Sequence, residues 1–331
     1  MSAVGPSAAT RALVTGGCGF VGSHLCEQLL AAGTAVVAVD NFATSDPDTV
    51  AQLLARPGFE LFRHDVTEPL PEMGSFDVVY HLASAASPPD YLRLPIQTLR
   101  AGSLGTTNAI ELAEREHARF VLASTSEVYG DPVVHPQPES YWGNVNSIGP
   151  RSVYDEAKRY AEALTMAYCR ERGVDTGIAR IFNTYGPRMR ADDGRVVPTF
   201  IVRALANAPL TVAGTGEQTR SLCYVEDTVR GLRALAAADH PGPINIGNPH
   251  ELSVRALAEE IRTATGSRSP VEYIEGAIDD PKRRCPDISL AARELGWRPV
   301  ITRTEGLRRT IEWFSRQSAT FDEDPVEART V

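Results

Sequence analysis

The sequence has no basic excess, no long apolar run and no internal repeat, and each absence excludes a class of protein. Lys and Arg number 33 against 42 Asp and Glu, giving a net charge of −9. This balance argues against sequence-independent nucleic-acid binding, which needs a basic face. No stretch reaches the roughly 18 apolar residues that a membrane helix requires. We therefore expect neither nucleic acid nor a membrane among the partners.

Paired cysteines and metal-ligand spacings are also missing. The 5 cysteines are scattered without a CxxC pair, which indicates neither a disulfide framework nor a zinc site. The 7 histidines show no HExxH or similar spacing, so we predict no metal. Residues 1–10 lack the basic and apolar regions of a signal peptide. Reduced thiols and this N-terminus favour a cytoplasmic protein.

The first half of the chain alternates short apolar runs with helical patterns. The predicted strands are Ala12–Thr15, Ala35–Asp40, Glu60–His64, Asp77–Leu82 and Arg119–Ala123. The predicted helices are Val21–Ala32, Pro95–His117 and Tyr154–Arg172. This alternation is typical of parallel βαβ units. It predicts an α/β fold of Rossmann type with a doubly wound parallel sheet.

Proline and glycine interrupt the pattern from about Phe182 onward, which indicates a second, smaller domain. Its predicted helices are Pro198–Ala206, Val225–Ala238, Ser253–Thr265 and Thr304–Ser315. We predict a nucleotide-binding domain over residues 1–181 and a C-terminal substrate domain over 182–316 that is interleaved with the first. The polar, acidic stretch 317–331 is expected to be a disordered tail.

A glycine-rich turn follows the first predicted strand and precedes the first helix. Gly16, Gly19 and Gly22 are spaced so that the backbone can turn tightly, approach a pyrophosphate and pack helix against strand. The amides of the helix N-terminus, at Phe20 and Val21, then face the phosphates. Such turns also occur without a ligand, but the strand–helix context here favours a dinucleotide site.

An acidic residue at the end of the second strand indicates which dinucleotide binds. Asp40 follows Gly22 by 18 residues, where a carboxylate can bind both ribose hydroxyls and repel a 2′-phosphate. Asn41 and the next two residues bring no Lys or Arg to receive that phosphate. We therefore predict NAD as the cofactor. Asp65 and Val66 either flank the adenine or form an ordinary strand-end loop.

Tyr154 and Lys158 lie four residues apart on one face of a predicted helix. A nearby ammonium favours the phenolate, so Lys158 is expected to lower the pKa of Tyr154 and make it a general base. A tyrosine on a helix more often simply packs. The hydroxyl cluster Ser124–Ser126 at the end of the fifth strand favours a catalytic Tyr154 over one that only packs. The carboxyl ends of the strands face the ligand crevice of such sheets, so this cluster should lie next to the Tyr154 helix.

Several segments together make the chain resemble the extended short-chain dehydrogenases/reductases that act on nucleotide sugars. The resemblance runs from about Arg11 to about Phe314 and rests on residues 15–29, 81–91, 122–146, 154–162, 179–189, 192–200, 218–227 and 279–288. Members that eliminate water carry Thr-Asp-Glu where this chain has Thr125-Ser126-Glu127, and 4-epimerases lack the Glu. The segment is most similar to that of members that decarboxylate UDP-glucuronate.

The resemblance implies an NAD-dependent reaction. Tyr154 would take the C4 hydroxyl proton with the help of Thr125 and Lys158. The C4 ketone would let the C5 carboxylate leave as CO₂, and returned hydride would give UDP-xylose. Ser126 would bind the sugar or Tyr154, and Glu127 would orient the ring or a water. The resemblance also assigns Leu82 to cofactor binding. It assigns six residues to substrate binding: Asn183, Arg188, Arg195, Val197, Arg220 and Arg284.

The sequence departs from the family at Ala85 and at Ala101–Ser103. Both changes fall near the expected nicotinamide site, so release of UDP-4-keto-pentose stays open as an alternative, as does a UDP-hexuronate 4-epimerase. The helices over 95–117 and 154–172 resemble those that form a four-helix homodimer interface in the family. Their apolar residues could equally face a neighbouring domain.

Overall fold

The computed structural model describes residues 10–275 and 283–323, and its centre is a parallel sheet of seven strands. The strands are β1 Arg11–Thr15, β2 Ala35–Asp40, β3 Phe59–Arg63, β4 Val78–His81, β5 Arg119–Thr125, β6 Thr176–Ile181 and β11 Ile244–Ile246. Their spatial order is β3-β2-β1-β4-β5-β6-β11, and each neighbouring pair is parallel. The predicted Rossmann-type fold is confirmed.

The sheet strands are apolar on both faces because helices cover both sides. Ala12, Leu13 and Val14 of β1 are fully buried, and all seven residues of β5 are buried. The strand order reverses between β1 and β4, because the chain adds β2 and β3 on one side of β1 and then β4, β5 and β6 on the other. Such a switch point opens a crevice at the carboxyl ends of the strands.

Eleven α-helices lie in the described part of the chain. They are α1 Phe20–Ala31, α2 Ala51–Leu54, α3 Pro88–Arg93, α4 Pro95–Arg100, α5 Thr106–Glu116, α6 Ser152–Arg172, α7 Val196–Leu205, α8 Val225–Ala236, α9 Val254–Thr265, α10 Ser289–Glu294 and α11 Arg303–Glu323. The sequence predicted the long helices but missed α2, α3 and α10, which are too short to show helical periodicity.

The predicted helix Pro95–His117 is divided by a wider π turn. Residues Ala101–Gly105 form that turn between α4 and α5. A Cβ at Gly102 would lie 2.7 Å from the Ala157 Cβ and 2.9 Å from the Ala157 carbonyl oxygen. The glycine thus lets this helix touch the backbone of α6, and the close approach accompanies the change in helical pitch.

The C-terminal part of the chain contributes to the central sheet as well as forming its own elements. Its strands β7 Thr184–Tyr185, β8 Leu210–Ala213, β9 Thr219–Ser221, β10 Cys223–Tyr224, β12 Glu251–Ser253 and β13 Val271–Ile274 form three two-stranded sheets. β11 instead pairs with β6 at the edge of the central sheet. The division into two interleaved domains stays a prediction.

The end of the chain differs from its prediction. Helix α11 continues to Glu323, so the stretch from 317 to 323 is helical where a disordered tail was expected. Ion pairs at i,i+4 spacing, such as Arg316–Glu312, support the helix near this end. Residues 324–331 lie outside the described residues. Among residues 10–275 and 283–323, none of the helices combines the length and the apolar character of a membrane span.

Candidate active site

A cavity of about 500 Å³ lies at the carboxyl ends of β1, β2, β4 and β5. It brings together most of the residues that the sequence analysis selected. Those lining it are Gly16, Gly19, Phe20, Val21, Gly22, Asp40, Asn41, Asp65, Val66, Leu82, Thr125, Ser126, Glu127, Tyr154, Lys158, Asn183, Arg188 and Arg195. The predicted cofactor and catalytic groups therefore face one space.

The glycine-rich turn packs so closely that larger residues would not fit. A Cβ at Gly22 would lie 2.1 Å from the Gly16 carbonyl oxygen, and one at Gly16, where φ is +69°, would lie 2.9 Å from Ala83. Helix α1 begins after Gly19 with no side-chain cap and no acidic residue in its first turn. Its first amides are therefore free to bind phosphate oxygens.

Asp40 is held so that its carboxylate faces the cavity. The backbone amides of Cys18 and Phe42 each donate to it at 3.0 Å, and the Ser45 hydroxyl donates at 2.8 Å. A carboxylate fixed in this way at the end of β2 suits the ribose hydroxyls of NAD. Asp65 is fixed beside it by the Asn41 amide at 3.0 Å.

Among the arginines that line the cavity, two lie against helix α1. Arg195 pairs with Asp193 and lies over the Phe20 ring at 6.0 Å from its centroid, close to the start of α1. Arg188 pairs with Glu27 at 2.7 Å, and its buried Nη1 has no hydrogen-bond partner. An anionic ligand would satisfy that nitrogen. The donor set thus fits a dinucleotide diphosphate in an acidic protein.

Helix α6 is fastened to the end of β5 by polar contacts. The Lys158 ammonium donates to the Ala123 carbonyl oxygen at 2.8 Å, and the Ser124 hydroxyl donates to Glu162 at 2.6 Å. These contacts place Tyr154 beside Thr125, which forms a hydrogen bond with it. Tyr154, Lys158 and Thr125, which the sequence analysis grouped together, therefore lie next to one another in the cavity.

The expected effect of Lys158 on Tyr154 is not what the structure shows. Burial raises the pKa of Tyr154 above its ordinary value, and the hydrogen bond from Thr125 opposes that rise only in part. The Lys158 ammonium lies 5.9 Å from the centroid of the Tyr154 ring and is directed to a carbonyl oxygen instead. Burial also lowers the pKa of Lys158, to about 8. Both effects come from desolvation of the charged forms.

Arg284 joins the two residues that follow Thr125. Its Nη1 donates to the Ser126 hydroxyl at 2.8 Å and to Glu127 Oε1 at 3.0 Å, and its Nη2 donates to Glu127 Oε2 at 3.2 Å. Arg284 itself is 1% exposed and does not line the cavity, so it acts through these neighbours. Of the segment 279–288 that carries part of the resemblance, residues 279–282 lie outside the described residues.

Glu127 is held as a carboxylate by two guanidinium groups. Burial alone would raise its pKa, but Arg284 and Arg151 outweigh that effect and lower the pKa to about 2. Arg151 donates to Glu127 Oε2 at 2.7 Å. Sequence reasoning missed Arg151, although its position three residues before Tyr154 places both at the start of one helix.

Two further residues contact or neighbour Tyr154, and no motif or spacing in the sequence indicated them. The Tyr91 ring stacks on the Tyr154 ring, with centroids 5.3 Å apart and planes 7° apart. Asp155 is buried beside Tyr154, and burial together with the Glu127 charge raises its pKa to about 7. These contacts depend on how α3 and the loop before α6 fold back on the sheet, which no spacing in the sequence records.

Besides Arg284, two more predicted substrate residues do not line the cavity. Val197 is 2% exposed and packs into the core from α7. Arg220 lies on β9, where its Nη1 donates to the Thr219 carbonyl oxygen. Neither lines the cavity, so their assignment to substrate stays a prediction that this geometry does not support.

One cluster outside the cavity has metal-ligand chemistry. His135, Glu251 and Cys285 place donor atoms within 4.8 Å of one another. The His135 Nε2 is already paired with Glu251 at 2.9 Å, and the Arg283 guanidinium lies 3.8 Å from the same carboxylate. A metal cation bound at this cluster would be repelled by the nearby Arg283 guanidinium. The absence of a metal therefore stays a prediction.

Comparison with known proteins gives consistent results. The profile of the NAD dependent epimerase/dehydratase family matches residues 12–247. The zebrafish (Danio rerio) protein named UDP-glucuronic acid decarboxylase 1 is 51% identical over 307 residues, covering 93% of this chain and 73% of that protein. UDP-glucuronic acid decarboxylase 6 of Arabidopsis thaliana is 52% identical over 298 residues, covering 90% of this chain and 86% of that protein.

Solved structures show the same fold. A UDP-glucose 4-epimerase of Thermotoga maritima, solved with UDP-glucose, has a TM-score of 0.87 at 27% identity, covering 93% of this chain and 100% of that one. A dTDP-glucose 4,6-dehydratase of Streptomyces venezuelae, solved with NAD bound, has a TM-score of 0.86 at 27% identity, covering 94% of this chain and 98% of that one.

Proposed function

The chain belongs to the NAD dependent epimerase/dehydratase family, and from this membership and the site geometry we propose that it decarboxylates UDP-glucuronate. The product would be UDP-xylose with CO₂, formed through a UDP-4-keto intermediate. The observation that carries the proposal is Ser126 between Thr125 and Glu127, with its hydroxyl bound by Arg284. An acidic residue there would supply the proton that water elimination needs, and serine cannot.

The residues around the glycine-rich turn would hold NAD. The free amides of α1 match its diphosphate, and Asp40 matches its ribose. Arg188 and Arg195, which the sequence analysis assigned to the substrate, lie against α1 and would serve the diphosphate of either ligand. When bound, NAD⁺ supplies the hydride acceptor and a positively charged ring near the catalytic residues. Because burial disfavours the Tyr154 phenolate, an added positive charge in the cavity would favour it.

Tyr154 would accept the proton of the sugar hydroxyl at C4. Its hydroxyl lies beside that of Thr125, and both residues line the cavity where the sugar would bind. Once C4 is a ketone, the substrate is a β-keto acid and loses CO₂ as its electrons move into an enolate. The chain then has only to stabilise charge at O4, and the Thr125 and Tyr154 hydroxyls are the donors beside that position.

Glu127 would orient the substrate rather than deliver a proton. Its pKa of about 2 keeps it ionised at neutral pH, so it accepts hydrogen bonds and has no proton to give. Since the Glu127 side chain is 19% exposed and lines the cavity, one edge of the carboxylate is available to a sugar hydroxyl or a water. Protonation at C5 would then draw on such a water.

The proposal is tested by incubating the purified protein with UDP-glucuronate and no added reductant. We expect release of one CO₂ per substrate and appearance of a UDP-pentose, followed by NMR of the nucleotide sugar. A Ser126→Asp variant serves as a matched comparison for the acid at this position. A product that keeps its carboxylate with the C4 configuration inverted would identify an epimerase and contradict the proposal.

Release of UDP-4-keto-pentose is the second candidate. The observation that favours it is the composition of the π turn Ala101–Gly105. Gly102 and Ala101 stand where the family carries larger polar residues, and Ala101 lines the cavity. These positions offer no side-chain hydrogen bond to a cofactor. A hydrated C4 ketone in the NMR spectrum of the product identifies this outcome.

We also propose that two copies associate through α4 and α6. These helices pack on each other, and together with the π turn that follows α4 they leave apolar side chains exposed: Ile96 63% and Leu99 38% on α4, Leu104 45% on the π turn and Tyr160 49% on α6. Such a stripe on two adjacent helices suits a second copy of the same surface. The family resemblance supports a four-helix interface here.

Replacing Ile96 and Leu99 together with aspartate is expected to separate the copies, because two carboxylates would be desolvated in each half of the interface. Light scattering coupled to size exclusion should show the mass fall from two chains to one. Leu54→Asp is a matched control, since Leu54 is 55% exposed on α2. An unchanged mass in the double variant would place the interface elsewhere.

We further propose a reducing, cytoplasmic location. All five cysteines are free thiols, and four of them are buried, which suits a compartment that keeps thiols reduced. Cell fractionation with a specific antibody tests this location.

A further inference from the structure

Arg190 and Asp90 form an ion pair at the wall of the cavity, and with Arg93 and Thr44 they make what we call the Arg190 network. Arg190 Nη1 lies 3.0 Å from Asp90 Oδ2, and its Nη2 donates to Oδ1 at 3.3 Å. Arg190 also donates to the Thr44 carbonyl oxygen at 2.5 Å. Arg93 donates to Asp90 at 3.1 Å.

The Arg190 network joins three segments that are distant in the sequence. Thr44 belongs to the loop after β2, the same loop whose Ser45 fixes Asp40. Asp90 lies on α3, and Arg190 lies between β7 and α7. The network thus connects the ribose-binding loop to the C-terminal part of the chain.

The network forms part of the wall that the main cavity shares with a second recess. Thr44, Asp90 and Arg190 line both the main cavity and a smaller recess of about 420 Å³. The Asp90 side chain is 7% exposed and that of Arg190 is 31%, whereas Asp192 on the recess is 81% exposed. Opening the Arg190–Asp90 pair would join the main cavity to this solvent-facing recess.

Asp90 stays ionised, as the ion pair with Arg190 requires. Burial would raise its pKa, but hydrogen bonds from Ser87, Arg190 and Arg93 outweigh this and lower it. The carboxylate therefore stays charged at neutral pH. The next residue, Tyr91, stacks on Tyr154, so α3 links the network to the catalytic phenol.

We propose that the Arg190 network retains the dinucleotide through the catalytic cycle and so decides whether the 4-keto sugar is reduced or released. This inference rests on the proposed function. Reduction returns to C4 the hydride that was taken from it, together with a proton at O4, and leaves NAD⁺. Release of the keto sugar leaves the hydride on NADH. Early loss of NADH makes the second outcome irreversible.

The retention part is tested without turnover. Protein carrying bound NAD⁺ is mixed with excess deuterated NAD⁺, and the bound cofactor is followed by mass spectrometry. In Arg190→Gln we expect exchange about tenfold faster, the effect of losing one charge-assisted pair. Asp90→Asn should act similarly, and the double variant should add little more, because both remove the same pair. Arg172→Gln, which removes the exposed pair with Glu114, should exchange at the wild-type rate.

The product ratio is then measured by NMR in the same proteins with no free NAD⁺. A larger share of UDP-4-keto-pentose in Arg190→Gln and Asp90→Asn supports the inference. Wild-type exchange rates in both variants, with unchanged thermal unfolding, would overturn it, as would faster exchange with an unchanged product ratio. If the wild-type protein forms neither product, the proposed decarboxylation fails instead, and the exchange rates alone decide the retention role.

Discussion

Replacing Tyr154 with phenylalanine is expected to lower kcat by about 10³-fold or more, at the upper range for a lost general acid–base group. The change removes only the hydroxyl that hydrogen-bonds to Thr125. The ring remains, so stacking on Tyr91 at 5.3 Å is kept and the cavity wall is undisturbed. Product formation from UDP-glucuronate, measured by NMR over long incubations, gives the rate.

Cofactor content separates this effect from a structural one. Because the groups fitted to NAD lie on the glycine-rich turn and at Asp40, the Tyr154→Phe protein should carry as much NAD as the wild type. Tyr168→Phe is the matched control, since it removes a hydroxyl from the same helix that only bonds Glu111 at 3.1 Å. Activity of Tyr154→Phe within tenfold of wild type would show that another group takes the proton.

Local spacing was sufficient to predict one half of the site. The glycine-rich turn, Asp40 and the Tyr154–Lys158 pair each lie within one strand–helix unit or one helix face, and the structure brings them to one cavity. The parallel sheet followed from the alternation of strands and helices for the same reason. In these cases the geometry of an element already fixes which residues are neighbours.

The other half depends on contacts between distant segments. Tyr91, Asp90 and Arg190 meet only because α3 and the loop before α7 fold over the same strand ends, and none of these segments has a periodic pattern. The predicted direction of the Tyr154 pKa shift was wrong for a related reason. Spacing gives the distance to Lys158 along a helix, but burial depends on everything packed around the ring.

The π turn at Ala101–Gly105 shows a third limit. The sequence correctly predicts helix on both sides, but the turn coincides with Gly102 lying against the Ala157 backbone of another helix. Helix propensity describes one helix at a time and treats this glycine as a cost of about 1 kcal/mol relative to alanine. The tertiary contact gives it a packing role that propensity does not include.

Replacing the buried Arg284 with methionine is expected to lower the free energy of unfolding by about 3 kcal/mol, because the partly buried Glu127 carboxylate loses one of its two guanidinium partners. Glu127 keeps the bond from Arg151 at 2.7 Å, which limits the loss. Chemical denaturation measures it. Arg255→Met, which removes the exposed pair with Glu217, should change stability by less than about 1 kcal/mol.

Stability and turnover should separate when Glu127 is changed as well. The variant Arg284→Met with Glu127→Gln no longer carries a carboxylate that lacks one guanidinium partner, but Arg151 loses its ion pair with Glu127, so the variant should regain only part of the stability. It should still lose about 100-fold or more in kcat, since Ser126 and residue 127 are no longer held in position. Recovery of activity together with stability would show that the cluster is only structural.

The pH dependence provides an independent check on the same ion pairs. The pKa of Glu127 lies at about 2 in the folded chain, below its usual 4.5, so its pairs stabilise the fold fully above about pH 4.5. That stabilisation disappears as the pH falls toward 2, because the carboxyl group is then protonated in both states. The stability difference between wild type and Arg284→Met should therefore be largest above pH 4.5 and shrink as the pH falls below it. A difference that stays constant down to the acid limit would mean that Arg284 stabilises the chain by packing and not through Glu127.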